Sequence, residues 1–244
     1  MSKLAEIRAR IESAKAAPAG ADDVTLIAVS KTKPAADVAE LFAAGQRDFG
    51  ENYVQELVEK SAELERLGCA GARWHFIGHL QTNKVKQLLP VVASIHSVDS
   101  ERLAREIAKR WRALRSGAGD SGGGGAGAGI SGGASAKLPI FIEVNIDGEE
   151  SKSGVRPEDA PALAELIGRE LSAELDLRGL MCVPAAGPIE SARAAFAQLR
   201  SLELSCRPWT RGALSMGMSS DFEAAVAEGA THVRVGTALF GKRP

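Results

Sequence analysis

Residues 25–34 read TLIAVSKTKP, and the way this stretch is parsed sets the frame for the whole chain. TLIAV is a short apolar run rich in β-branched side chains, the composition of a strand buried on both faces. Pro34 suits the start of a helix, because its ring presets φ and its missing N–H has no intrahelical partner to lose there. A buried strand running straight into a helix is the opening unit of a parallel sheet. Lys31 falls where that strand ends. Burial lowers an ammonium's pKa and frees the neutral amine, the species that condenses with an aldehyde. A plain surface lysine is the alternative reading, and Lys33, in phase with Lys31, is its competitor.

The rhythm set by this unit continues. Strand-like runs follow at RDFGEN, RWHFIG, SIHSVD, IFIEVNI, LRGLMCV, ALSMGM and HVRVGT, alternating with amphipathic helical stretches. Helices open at Pro34, after Ser100, at Pro157, near Pro188 and after Ser220, and Gly45, Gly68, Gly117 and Gly229 sit where helices stop. Eight such units favour a single (β/α)8 barrel of TIM type over an open sheet. Leu4, Ile7 and Ile11 recur at helical spacing and predict an extra amphipathic helix ahead of the first strand. One tract departs from the pattern: Ser116 to Ala136 holds ten of the 26 glycines and is otherwise nearly all Ala and Ser. It reads as a disordered insertion (116–136) within one domain spanning 1–244, because the strand-helix rhythm resumes at Leu138 and neither side closes a barrel alone.

Thirty Lys and Arg against 31 Asp and Glu give a net charge of -1, which argues against a polyanionic partner, so no nucleic acid is expected. Cys69, Cys182 and Cys206 are widely spaced and contain no CxxC pair, which fits a reducing compartment and speaks against a structural metal. The charged N-terminal residues do not read as a signal peptide, and no apolar window predicts a membrane span, so a cytoplasmic protein is expected.

The polar groups gather where a barrel carries its chemistry, in the loops after the strands. Ser215, Gly217, Ser219 and Ser220 follow strand seven, and Gly236 and Thr237 follow strand eight. Together these offer hydroxyls and open backbone N–H groups for a phosphate, with ordinary helix capping as the alternative. In HVRV, Arg234 shares a face with His232; if the valines pack under the helices, Arg234 points inward, where it needs an anion or a strong acceptor, with a buried salt bridge to an acid such as Glu143 as the alternative reading. Asn52, His79, Asn83 and Asp99 are rim groups, Asp99 or Ser100 caps the following helix, and His75 and His96 read as satisfied core histidines.

A strand-one lysine, an inward arginine on strand eight and a double phosphate loop suggest pyridoxal 5′-phosphate held as an internal aldimine. The motifs VSKTKP, FGENYVQE, WHFIGHLQTNK, HSVDS, NIDGEESKSG, RGLM, LSMGMSSDF and VRVGTALFG resemble the pyridoxal phosphate homeostasis (YggS/PROSC) family from the first strand nearly to Gly241. The resemblance implies a barrel like the N-terminal domain of alanine racemase, with Lys31 as the aldimine lysine. It implies Asn52, Ser215, Met216, Gly217, Ser219, Gly236 and Thr237 around the cofactor, Arg234 near the pyridine nitrogen, and Lys33 and Lys152 in cofactor exchange. A guanidinium at that nitrogen disfavours its protonation and weakens the ring as an electron sink. The family reading is therefore a monomeric vitamin B6 carrier that buffers pyridoxal phosphate and passes it to apo enzymes, without robust turnover. An amino-acid racemase is the alternative, though racemases place an acid-base tyrosine on an added β domain and this chain has only Tyr53. A cofactor-free aldolase using Lys31 is a third reading, which leaves Arg234 and the phosphate loops less explained.

Overall fold

The computed structural model describes residues 2–15, 24–117, 137–149 and 152–241. Eight strands alternate with helices as the sequence predicts: β1 Thr25–Val29, β2 Asp48–Glu51, β3 Arg73–Phe76, β4 Ser94–Val98, β5 Leu138–Val144, β6 Leu175–Cys182, β7 Ala213–Ser215 and β8 His232–Val235. Every neighbouring pair is parallel, and β8 pairs back onto β1 with Thr25 opposite His232 and Ile27 opposite Arg234, which closes the barrel.

The helices are α1 Lys3–Ala14, α2 Ala35–Ala43, α3 Val54–Arg66, α4 Val85–Leu88, α5 Glu101–Arg115, α6 Ala160–Glu170, α7 Ile189–Ser205, α8 Phe222–Ala227 and α9 Thr237–Phe240. Their boundaries follow the local chemistry. Pro34 and Pro188 occupy the N-cap positions of α2 and α7, and Ser100 Oγ accepts the Leu103 N–H at the start of α5. Of the two capping candidates it is thus Ser100 that caps, while Asp99 Oδ1 accepts the Ser100 hydroxyl. The four glycines expected to stop helices all take positive φ, the left-handed geometry a helix C-terminus favours. Leu4, Ile7 and Ile11 are buried, so α1 packs its apolar stripe onto the barrel wall, chiefly against α8 and α9. The glycine-rich tract connects α5 to β5, and its residues 118–136 lie outside the described residues.

Two apolar layers share the strands. One packs between sheet and helices and includes Leu26, Ala28, Phe49, Leu214, Met216, Val233 and Val235. The other, formed by Phe141, Met181 and Ala213 with Val183, fills the barrel interior. Because side chains alternate along a strand, Val233 and Val235 facing the helices send His232 and Arg234 inward.

Candidate functional site

The C-terminal ends of β1, β2, β3 and β8, with the loops after β6 and β7, enclose an open cleft of ≈ 400 Å³, within the range of small-molecule sites. Lys31, Asn52, Ser219, Ser220, Arg234, Gly236 and Thr237 line it, joined by the apolar side chains of Val29, Ile77, Val183 and Met218. The strand-one lysine and the strand-eight arginine thus open onto one cavity because their strands are hydrogen-bonded neighbours.

The two glycine-bearing loops are tied together by a serine. Ser219 Oγ accepts the Gly236 N–H at 3.2 Å and the Ala238 N–H at 3.5 Å, joining the loop after β7 to the start of α9. Met218 N–H donates to Asp221 Oδ1 at 2.6 Å, which fixes the turn into α8. A Cβ on Gly236 would lie 3.3 Å from Val29 O, so the backbone here runs tight against β1. Asn52 Oδ1 is buried at the wall of the cleft with no hydrogen-bond partner among the described residues. An unpaired buried acceptor, two cations and a serine-linked pair of amides suit a polar ligand bearing an anionic group, and the cleft accommodates a molecule of pyridoxal phosphate's size and chemistry.

Three of the anticipated residues lie off the cavity wall. Ser215 is fully buried beneath it, Met216 packs in the outer core, and Gly217, at φ 91°, sits where a Cβ would press on Ala225 and Phe222 of α8. Strand alternation explains the first two, and close helix packing explains the glycine. Lys33 belongs to the turn after Lys31, its N–H donating to Ser30 O at 3.0 Å. Lys152 stands at the rim, with Nζ 3.5 Å from the carbonyl of the cleft residue Val183 and 3.2 Å from Glu149 Oε2. His79 is exposed and bonded to Ser153 Oγ at 3.0 Å, away from the cleft lining.

Arg234 meets two strong acceptors, as an inward guanidinium requires, and neither is the carboxylate of the alternative reading. Among the described residues it forms no ion pair with Glu143; Nη1 donates to Ser215 Oγ at 2.8 Å and Nη2 donates to Cys182 O at 2.8 Å, both uncharged acceptors. Burial lowers its pKa, and the Cys182, Glu143 and Asp221 groups oppose that shift.

Ser215 begins a hydrogen-bonded chain through the barrel. It meets His96 Nδ1 at 2.8 Å, His96 Nε2 meets Ser94 Oγ at 2.8 Å, Ser94 Oγ meets His75 Nδ1 at 2.7 Å, and His75 Nε2 meets Asp48 Oδ1 at 2.9 Å. The ends fix the direction, since a guanidinium only donates and a carboxylate only accepts. Ser215 accepts from Arg234 and donates to His96 Nδ1; His96 Nε2–H donates to Ser94, Ser94 to His75 Nδ1, and His75 Nε2–H to Asp48. A doubly protonated His75 would reverse the inner links and leave the buried Ser215 proton without an acceptor, so full satisfaction selects the Nε2–H tautomer of both rings. Burial, then the neighbouring His75, His232 and Arg234, drive the His96 pKa well below the ordinary value, as a neutral ring requires. Phe141 stacks on His96 at 4.2 Å between centroids. At the far end burial would raise the Asp48 pKa, but hydrogen bonds from His75 and Arg73 hold it well below the usual carboxylate range.

The comparisons with known proteins agree with this geometry. The family model for the alanine racemase N-terminal domain matches residues 2–244. A protein of Pseudomonas aeruginosa named pyridoxal phosphate homeostasis protein is 46% identical over 242 residues, covering 98% of this chain and 94% of its own. Its namesake in Escherichia coli K12 is 40% identical, covering 98% and 95%. The solved structure of PipY from Synechococcus elongatus with PLP bound superposes with a TM-score of 0.76 at 36% identity, covering 98% of both chains.

Proposed function

The chain belongs to the alanine racemase N-terminal-domain family, among the pyridoxal phosphate homeostasis proteins, and on that premise we propose that it binds pyridoxal 5′-phosphate in the strand-end cleft and holds it through an imine to Lys31. The observation that carries this reading is the opening of Lys31 and the buried Arg234 onto one cavity beside the Ser219–Gly236 linkage. When bound, pyridoxal phosphate supplies an aldehyde for an amine, a phosphate anion and a ring nitrogen whose protonation sets the electron-withdrawing power of the ring.

Each group has a counterpart here. Lys31 provides the amine, and the hydroxyls of Ser219 and Thr237 are donors for the phosphate, beside Gly236, whose own N–H is held by Ser219 Oγ. Asn52 offers a carboxamide oxygen with no partner among the described residues, and Ser215 and Gly217 support the site from below by fixing Arg234 and the turn into α8. Arg234 is a cation with donors only, so it disfavours a proton on a facing ring nitrogen. The site is thereby suited to keeping an aldehyde bound and inert, and the role proposed is buffering and delivery in the cytoplasm by a monomer, without robust turnover. Among the described residues no helix is long and apolar enough to cross a membrane.

A racemase needs acid-base groups on both faces of the substrate Cα. Tyr53 is 61% exposed and outside the cleft lining, which favours the carrier over the racemase. The purified protein should show a visible band that borohydride removes, with the label mapping to Lys31. A protein that stays colourless after addition of pyridoxal phosphate would sink the reading, and inversion of D- or L-amino acids well above free cofactor would overturn the claim of no turnover.

A further inference from the structure

We propose that Glu56, acting with Lys60, is a positioning residue for Lys31: the two side chains on α3 clamp the peptide units on either side of it. On the N-terminal side, Lys60 Nζ donates to Ser30 O at 2.6 Å, and Ser30 Oγ donates to Glu51 Oε1 at 2.6 Å. On the C-terminal side, Thr32 N–H donates to Glu56 Oε1 at 2.6 Å. Lys60 Nζ lies 2.7 Å from each of the two acids, so one buried ammonium joins both halves of the clamp.

The backbone shows what the clamp holds. Thr32 has φ 64°, and it is the one described non-glycine residue at positive φ. A β-branched residue seldom adopts that geometry, and it persists where its surroundings enforce it. The turn it makes lets Lys33 N–H reach Ser30 O at 3.0 Å and reverses the chain directly after Lys31. Relaxed to an ordinary φ, Thr32 would turn the adjoining peptide plane and swing the Lys31 side chain relative to the cleft.

A purely structural ion-pair cluster is the competing account. Glu51, Lys60 and Ser30 O already fasten α3 to the sheet, whereas Glu56 reaches outward to the one amide that follows Lys31. Its side chain is 23% exposed, so it serves the loop more than the core.

This inference rests on Lys31 being the cofactor lysine, and the test separates the two. In the ligand-free protein, the Thr32 amide is protected from hydrogen exchange, and Glu56→Ala speeds that exchange at least about tenfold with little change in melting temperature. With pyridoxal phosphate as the probe, Glu56→Ala forms the borohydride-trapped Lys31 adduct about tenfold more slowly, as expected when a reacting amine loses its orientation. Glu56→Gln keeps an acceptor for Thr32 N–H and recovers most of that rate. A wild-type rate in Glu56→Ala, or equal loss in both variants, overturns the clamp. If the wild-type protein takes up no cofactor, the proposed function fails and the Thr32 exchange measurement alone decides the clamp.

Discussion

Arg234 Nη1 donates to Ser215 Oγ across 2.8 Å, so this buried guanidinium is answered directly by a hydroxyl. At the other end of the hydrogen-bonded chain stands Asp48, ion-paired with Arg73 and linked to Arg234 through the aligned dipoles of His75, Ser94, His96 and Ser215. Aligned hydrogen bonds in a low-dielectric interior polarise one another, which makes each member depend on the rest. The same donor direction that satisfies the chain keeps a Ser215 lone pair facing Arg234.

Long-range ¹H–¹⁵N correlation on the ligand-free protein should therefore show His75 and His96 as neutral Nε2–H rings, and an Nδ1–H ring at either position would contradict the derived direction. Ser215→Ala leaves an Arg234 N–H and His96 Nδ1 buried without partners. It should destabilise the protein by about 3 kcal/mol in chemical denaturation, given roughly 1–3 kcal/mol for each abandoned buried group. A loss under about 0.5 kcal/mol would mean that water replaces the hydroxyl.

Glu143 predicts a pH dependence of definite sign. Burial, then the Asp99 carboxylate, push its pKa from 4.5 up to about 7 against the pull of Arg234, and its Oε2 is buried with no partner among the described residues. The folded protein keeps a proton there that the unfolded chain releases near pH 4.5. The associated stability is full below that pH and lost as pH rises through about 7. Glu143→Gln removes this titration at constant shape, so its stability relative to wild type should climb by up to about 3 kcal/mol between pH 4.5 and about pH 7 and stay level outside that window. Urea titrations at four or five pH values measure the difference; a flat difference would place the Glu143 pKa near its ordinary value.

The barrel and half of the site were legible because their signals are local. TLIAVSKTKP carries strand, turn and helix start within ten residues, and the alternation in HVRV predicts the inward arginine. Ser219, Gly236 and Thr237 line the cleft because loops after strands face it. Met216 was legible only as part of a motif, and strand alternation carries it away from the wall into the outer core. Ile77, Val183 and Met218 line the cleft with no chemical signature to mark them. The chain from Arg234 to Asp48 joins five strands and has no sequence spacing of its own. Lys60 carries no signature of its own in the sequence. Its i,i+4 spacing from Glu56 was visible in VQELVEK, but its burial follows from Glu51 on another element.

Lys152 stands against the backbone of a cleft residue and near two acids, Glu149 at 3.2 Å and Asp147 at 3.9 Å. A rim lysine held this loosely suits a role in exchange more than in tight binding, since partly exposed ion pairs contribute little energy. Lys152→Ala and Lys33→Ala should leave the affinity for pyridoxal phosphate within about twofold of wild type while changing severalfold the rate of its transfer to an apo enzyme. Stopped-flow transfer kinetics read this directly, and unchanged rates in both variants would remove these lysines from the exchange route.

The glycine-rich tract enters the chain between the end of α5 and the start of β5, which places its attachment points at the N-terminal face of the barrel. The cleft lies at the opposite face, where β1, β2, β3 and β8 end. Deleting Gly117 through Gly133 leaves Ser116, Ala134, Ser135, Ala136 and Lys137 to join α5 to β5, a length ordinary for a helix-to-strand connection. A shorter connection also costs less closure entropy, by about 0.6 kcal/mol for each halving, so the variant should be no less stable than the parent. The borohydride-sensitive band and the affinity for pyridoxal phosphate should both be retained. Loss of the band in a variant that still melts cooperatively would show that this tract reaches the cleft, and would overturn the assignment of the two faces to separate tasks.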